Sequence, residues 1–260
     1  MAKPLAVVLT GFGINCDYET RDAFVLAGAG AEHVHVNDLI ENSAILDRCQ
    51  ILAVPGGFSF GDDIASGKVL ANKLKYRMGE AFLEFLLKDS LVIGICNGFQ
   101  VLVRLGVLPG GEEGLVEQKA TLTYNDSGKF EDRWVRLEAA KESPCVFTRN
   151  LERLELPVRH GEGKFYTGDS DLLKQLEGNG QLVLRYTDPD GSRPARYPAN
   201  PNGSEDDVAG LCDPTGRVFG LMPHPEAFIY RHHHPHWTRQ DGADEGQGLA
   251  IFRNAVDYFS

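Results

Sequence analysis

The sequence predicts an α/β fold: an open, mostly parallel sheet with helices on both faces, and an antiparallel strand insertion in the middle of the chain. Three observations carry this. Short β-branched runs alternate with helical patterns in the N-terminal part, as βαβ units do. The runs at Leu5, Ile51 and Leu91 are nearly continuous in apolar character, as strands buried on both faces must be. Further along, strands follow strands, which predicts antiparallel pairing.

The elements follow in order. Strands are expected at Leu5–Leu9, Val34–Val36, Ile51–Val54 and Leu91–Ile95. Between the first two, Asp17–Ala29 has an acidic first turn, apolar Ala23, Phe24 and Ala27, and glycines at its end, which predicts a helix. Val69–Leu87 carries Leu70, Leu74, Met78, Phe82, Phe85 and Leu86 at helical spacing. In the middle, Leu115–Thr123 and Trp134–Glu138 read as strands joined by a turn at "NDSGK", followed by Leu154–Val158 and Leu182–Tyr186. Asp188–Asp207 is a long Pro/Gly/Asn loop, a length that in compact domains usually serves function. Its acidic end, Glu205–Asp207, reads as solvated. Val218–Met222 is a further strand, and "QGLAIFRNAVDYF" closes the chain as an amphipathic helix.

The length of 260 residues fits a single domain over 1–260. A net charge of −11 disfavours broad contact with nucleic-acid phosphates. No apolar stretch approaches the roughly 18 residues of a membrane span, and the apolar run in "MAKPLAVVLTGFG" is too short for a signal-peptide core. Neither nucleic acid nor membrane is therefore an expected partner. The five cysteines are odd in number, far apart and without C-x-x-C, which predicts a reducing, cytoplasmic setting with no disulfide framework and no zinc ribbon. Cys16, Cys49, Cys145 and Cys212 read as packing residues.

Cys96 is different. In "LVIGICNGFQVL" an apolar strand ends in G-x-C-x-G and a helical pattern begins. That is a nucleophile elbow with sulfur in place of a serine oxygen. The turn should leave Cys96 strained and exposed at the strand's carboxyl end. The glycines let helix and neighbouring strands approach, and the helix N-terminus favours thiolate. A buried cysteine beside a tight turn is the alternative.

A thiolate nucleophile works best with an imidazole that is itself oriented by an acceptor. "LMPHPEAF" offers His224 and Glu226. Flanking prolines should hold this segment extended, so that residues two apart face the same way. In "AVPGGFSFGDD", Gly56 and Gly57 leave backbone N–H groups bare beside the next strand end; with the N–H of Asn97 they would form an oxyanion hole, or simply a tight turn.

The motifs "GINCDYET", "PGGFSFGDD", "GICNGFQVL", "RHGEGKFY", "YPANPNGS", "GLMPHPE" and "IFRNAVDYF" resemble the class I (triad) glutamine amidotransferases, which are flavodoxin-like. Within these they are similar to the family of glutaminase subunits that serve phosphoribosylformylglycinamidine synthase. The resemblance runs over residues 5–259. It implies a Cys96–His224–Glu226 triad that releases ammonia from L-glutamine through a glutamyl thioester. It also implies Gln100 in contact with that glutamine, and His160 and Glu162 in support. The ATP and Mg would lie on a synthetase partner; the family occurs as separate chains, sometimes with a small bridging subunit, or as one fused polypeptide. Consistently, the chain has no phosphate loop: "ASGK" at 65–68 lacks the upstream glycines, and "GFGINC" places Cys16 at the third glycine of a dinucleotide motif. No cofactor is expected in this chain. Its end soon after the last helix suggests a free-standing subunit.

Five of the eight histidines fall within His224–His236. Consecutive histidines point apart, so no metal site is expected there, and His232–His236 reads as a polar surface loop. His160 and Glu162 could form a second imidazole–carboxylate pair. Two rival readings stand beside the amidotransferase: a stand-alone Cys hydrolase on the same scaffold, and a catalytically silent regulatory subunit.

Overall fold

The computed structural model describes residues 3–110, 117–239 and 242–260. From the N-terminus, β1 (Leu5–Thr10) leads into α1 (Asp17–Ala27), β2 (Gly30–His35), α2 (Val36–Glu41) and β3 (Ile51–Val54). Next come α3 (Lys68–Leu87), β4 (Leu91–Ile95) and α4 (Asn97–Arg104). The middle holds β5 (Thr121–Tyr124), β6 (Glu131–Ala139), β7 (Arg153–His160), β8 (Glu162–Tyr166), α5 (Ser170–Gly178) and β9 (Leu182–Thr187). The strands β10 (Val208–Cys212) and β11 (Val218–Leu221) and the helix α6 (Leu249–Asp257) complete it.

One sheet runs in the order β2-β1-β3-β4-β11-β10-β9-β6-β7. From β2 to β11 the pairing is parallel; β10, β9, β6 and β7 extend the same sheet antiparallel. The connection from β1 to β2 runs one way along the sheet and that from β3 to β4 runs the other. Right-handed crossovers then put α1 and α3 on opposite faces. The central strands are apolar throughout because both faces are covered: every residue of β3, β4 and β11 is buried. On one face α1 meets α6, where Phe24 and Phe252 pack edge to face at 5.0 Å. On the other, α4 lies on β3, β4 and β11 at backbone contact. A Cβ on Gly220 would stand 2.1 Å from the Phe99 ring. Among the described residues no helix is long and apolar enough to cross a membrane.

Several expectations need correction. The strand expected at Val34–Val36 is longer and starts at Gly30; Val36 already opens α2. The strand expected at Leu115–Thr123 begins only at Thr121, and Leu115 and Val116 lie outside the described residues. The "NDSGK" turn forms, but it does not make a hairpin. β5 pairs with β8 in a separate small sheet, whereas β6 pairs with β7 and β9. Glu205–Asp207 is not simply solvated. Asp207 is buried and accepts hydrogen bonds from the Ala195 N–H and the Asn200 amide, so it holds the long loop against the sheet. His234 is also buried, edge-on to Trp134 and 3.6 Å from a Glu155 oxygen, because an apolar pocket under the loop takes its ring.

Candidate active site

The strands β1, β3, β4 and β11 lie side by side, and the loops at their carboxyl ends gather on one edge. Open α/β sheets place their sites there. These loops carry residues 11–16, 55–63, 96 and 222–226.

Cys96 joins β4 to α4 with φ 51° and ψ −105°, a strained conformation for a residue with a Cβ. Its N–H donates to the Leu221 carbonyl at 2.7 Å, tying the elbow to β11. The expected exposure is wrong: Cys96 is only 4% exposed. The end of β7 covers it, and Sγ lies 3.6 Å from the Arg159 carbonyl oxygen.

His224 follows β11. Its N–H donates to the Pro157 carbonyl at 2.8 Å, so the segment is pinned to β7 as well. Nδ1 stands 2.6 Å from Glu226 Oε1. The contact was expected, but the backbone that makes it is different. Pro225–Phe228 is a 3-10 turn rather than an extended run, since the fixed φ of Pro225 suits the first position of such a turn. The turn swings Glu226 back onto the ring. Nε2, the other ring nitrogen, is buried without a hydrogen-bond partner among the described residues. Burial works against charge on His224, but Glu226, Cys96 and the Cys16 thiol outweigh it and hold the imidazole well above the usual histidine range. Cys96 is thus close enough to act on the His224 ring although Nε2 closes no hydrogen bond, a common state of unliganded sites.

Gly56 packs directly on this ring: a Cβ there would sit 2.8 Å from His224 Cε1. The 11–16 loop straps the P-G-G turn, with the Asn15 and Cys16 N–H groups both donating to the Gly56 carbonyl. Gly57 has φ 141°, and a Cβ on it would lie 2.3 Å from the Gly13 oxygen. Among the described residues its N–H donates to no backbone carbonyl. The Asn97 N–H is the first of α4, one of the donors that a helix leaves free.

Gln100, the residue expected to contact glutamine, is not left free. It is buried, its Nε2 donates to the Glu162 carbonyl, and its Oε1 accepts from Asn97 Nδ2 at 2.9 Å. Asn97 in turn donates to Asp62 at 3.2 Å and accepts from the Ser59 N–H at 3.2 Å. This chain links the 55–63 loop, the elbow and the β7–β8 turn. The His160–Glu162 pair is not formed either. His160 Nδ1 meets Asn125 Oδ1 at 3.1 Å, because the "NDSGK" turn reaches across from β5.

Burial, with His224 alongside, pushes His160 down from 6.5 to about 3. The folded protein therefore leaves His160 neutral while the unfolded chain takes up a proton below about 6.5. Stability is lost as pH falls through that window, by about 1.4 kcal/mol per pH unit until His160 itself protonates near its folded value. Urea unfolding of the wild type and His160→Asn between pH 7 and pH 5 should show the wild type losing its advantage at that rate. A constant difference would mean that His160 is not held neutral.

Sequence reasoning missed Cys16, Asp62 and Asn125. Cys16 Sγ lies 4.0 Å from His224 Nδ1, so it is a neighbour of the triad and not a packing residue. Its place after β1, in a glycine-rich loop before an acidic helix start, was the available clue. Asp62 sat within the quoted P-G-G motif; Asn125 gave no signal beyond that of a turn. The rings of His232, His233 and His236 lie on the exposed loop. Cys49, Cys145 and Cys212 are buried, and all five cysteines are free.

A model of the CobB/CobQ-like glutamine amidotransferase domain matches residues 3–259. A protein of Dehalococcoides mccartyi named phosphoribosylformylglycinamidine synthase subunit PurQ is 48% identical over 259 residues, covering 99% of this chain and 98% of its own. One of the same name from Methanococcus maripaludis is 42% identical over 271 residues, with 99% and 98% covered. Among solved structures, a chain of PurLQS from Thermotoga maritima superposes with a TM-score of 0.73 at 30% identity, covering 99% of this chain and 100% of that one.

Proposed function

The chain belongs to the CobB/CobQ-like glutamine amidotransferase family, and from that premise we infer that it is the glutaminase subunit of phosphoribosylformylglycinamidine synthase in purine biosynthesis. Its partners in this reading are a synthetase subunit and a small bridging subunit, and a chain of PurLQS from Thermotoga maritima is among the structures it resembles. ATP and Mg belong on the synthetase, and the cytoplasm is the compartment that suits five free cysteines.

One observation carries the mechanism: His224 is held by Glu226 at 2.6 Å just after β11, the strand paired with β4, which runs into Cys96. The Cys96 thiolate attacks the side-chain amide carbon of glutamine. The N–H groups of Gly57 and Asn97 hold the oxyanion. The His224 imidazolium gives its Nε2 proton to the leaving nitrogen, so ammonia departs and a glutamyl thioester remains. Nε2 then takes a proton from water as the water attacks the thioester, and glutamate leaves with the sulfur restored. Glu226 keeps the ring oriented and stabilises its charge. Gln100 and Asn97 brace the elbow against the 55–63 loop and the β7–β8 turn.

A glutamine analogue bearing an electrophilic carbon at the amide position tests this. It should label Cys96 alone, at one equivalent per chain by mass spectrometry of the digest. His224→Ala should slow labelling by orders of magnitude. Label on another cysteine, or none with the fold intact, would favour the silent-subunit reading.

A further inference from the structure

Cys16 takes no covalent part in the chemistry above, yet its sulfur borders the triad. Cys16 Sγ, a ring nitrogen of His224 and a carboxylate oxygen of Glu226 all lie within 4.8 Å of one another. Sγ is 4.0 Å from Nδ1, and Glu226 Oε1 is 2.6 Å from the same nitrogen. Glu226 Oε2 is buried with no hydrogen-bond partner among the described residues, although the residue is only 1% exposed. That unpartnered oxygen is a donor left over for a ligand. Cys16 itself is only half-buried, just before α1.

We propose that Cys16, His224 and Glu226 form an inhibitory binding site for a thiophilic divalent cation of the zinc class, which switches off glutamine hydrolysis by occupying Nδ1 of the catalytic histidine. The inference rests on the triad reading above. A thiolate, an imidazole and a carboxylate are the donor types that such ions select over magnesium or calcium, and a fourth position remains for water. Tetrahedral zinc, with nitrogen at about 2.0–2.1 Å and sulfur at about 2.3 Å, sets those two atoms about 3.5 Å apart. The observed 4.0 Å asks Sγ and Nδ1 to close by about half an ångström, and the 2.6 Å contact between Nδ1 and Glu226 Oε1 opens as the ion enters. Binding expels the thiol proton of Cys16 and the proton between Nδ1 and Glu226. The one proton left on the ring then sits on Nε2, so that nitrogen no longer accepts from Cys96 or from water. Coordination also takes Glu226 away from its orienting role. Glutamine hydrolysis stops, whereas synthesis from added ammonia, which bypasses the triad, continues.

The test uses cadmium as the optical probe and zinc for inhibition. Cadmium added to the purified chain should raise a thiolate-to-metal charge-transfer absorbance that saturates at one ion per chain. The band should persist in Cys96→Ala and vanish in Cys16→Ser. In the complex with the synthetase, zinc should inhibit the glutamine-dependent rate and spare the ammonia-dependent one. Even a supporting partner of a metal site is worth about 10- to 100-fold in affinity, so Cys16→Ser should weaken inhibition at least that much relative to its own metal-free rate. If Cys16→Ser fails to fold, Cys16→Ala and His224→Asn carry the same optical prediction. A band kept by Cys16→Ser, or lost from Cys96→Ala, would overturn the site and place the ion on the nucleophile. Failure of the triad reading is seen separately, as glutamine turnover surviving in metal-free Cys96→Ala.

Discussion

Cys96→Ala is expected to abolish glutamine-dependent synthesis by the assembled enzyme and leave synthesis from ammonia intact. A triad acts as a unit, and loss of a hydrolase nucleophile costs on the order of 10⁶-fold. The fold should survive. Alanine keeps the Cβ, so the residue meets the same φ of 51°. The deletion removes one buried sulfur, a change comparable with losing a methyl group, at about 1 kcal/mol. The Cys96 N–H to Leu221 bond, a backbone contact, is untouched. The synthetase therefore still finds its docking partner, and ammonia supplied in solution replaces what the glutaminase would deliver. Parallel assays with glutamine and with ammonium salt decide the matter. Loss of both rates would contradict the division of labour between subunits. Retention of both would remove Cys96 from the reaction.

The parallel half of the molecule was legible because burial on both faces writes itself into the sequence. β4 is apolar at every position except Gly94, and the elbow that follows is marked by glycines that nothing else explains. His224 and Glu226 were legible as a pair because the spacing and the prolines are unusual, although Pro225 works by starting a turn and not by extending the chain. The antiparallel half was read less well. β8, "EGKFY", pairs only with β5 at the margin of the fold, so its sequence carries little apolar pattern. β10, "VAGLC", is fully buried but short, and it follows a long loop whose buried polar anchors, Asn202 and Asp207, look like surface residues in sequence. The commitment of Gln100 to Glu162 and Asn97, and of His160 to Asn125, are contacts between distant segments. Such contacts depend on where the turns land, which local pattern does not record. Cys16 was misread for the same reason: a thiol in a loop looks like packing until the strand beside it is known to end at His224.

Gly98→Ala should damage both stability and catalysis, against its local propensity. Within a helix the added methyl is favourable by about 1 kcal/mol, and Gly98 lies inside α4. At this position, however, the new Cβ would stand 1.8 Å from the Val54 carbonyl oxygen and 2.7 Å from its carbon. Both are backbone atoms of a central strand and cannot turn aside. The helix must lift from β3 by more than an ångström, and overpacking of that kind costs about 1–3 kcal/mol or more, which exceeds the helical gain. The functional loss should be larger than the loss of stability suggests. Val54 leads directly into the P-G-G turn, and Gly98 follows Cys96 and Asn97 by two residues and one, so a single displacement shifts nucleophile and oxyanion donors apart. A misplacement of about 1 Å can cost about 10²-fold in rate. Urea unfolding and glutaminase assays on the folded fraction would measure the two effects separately. Gly178→Ala is the control: it ends α5, and an added Cβ meets nothing within 4 Å, so it should be neutral or slightly stabilising. If Gly98→Ala behaved like Gly178→Ala, the close approach of α4 to the sheet would not be what positions the elbow.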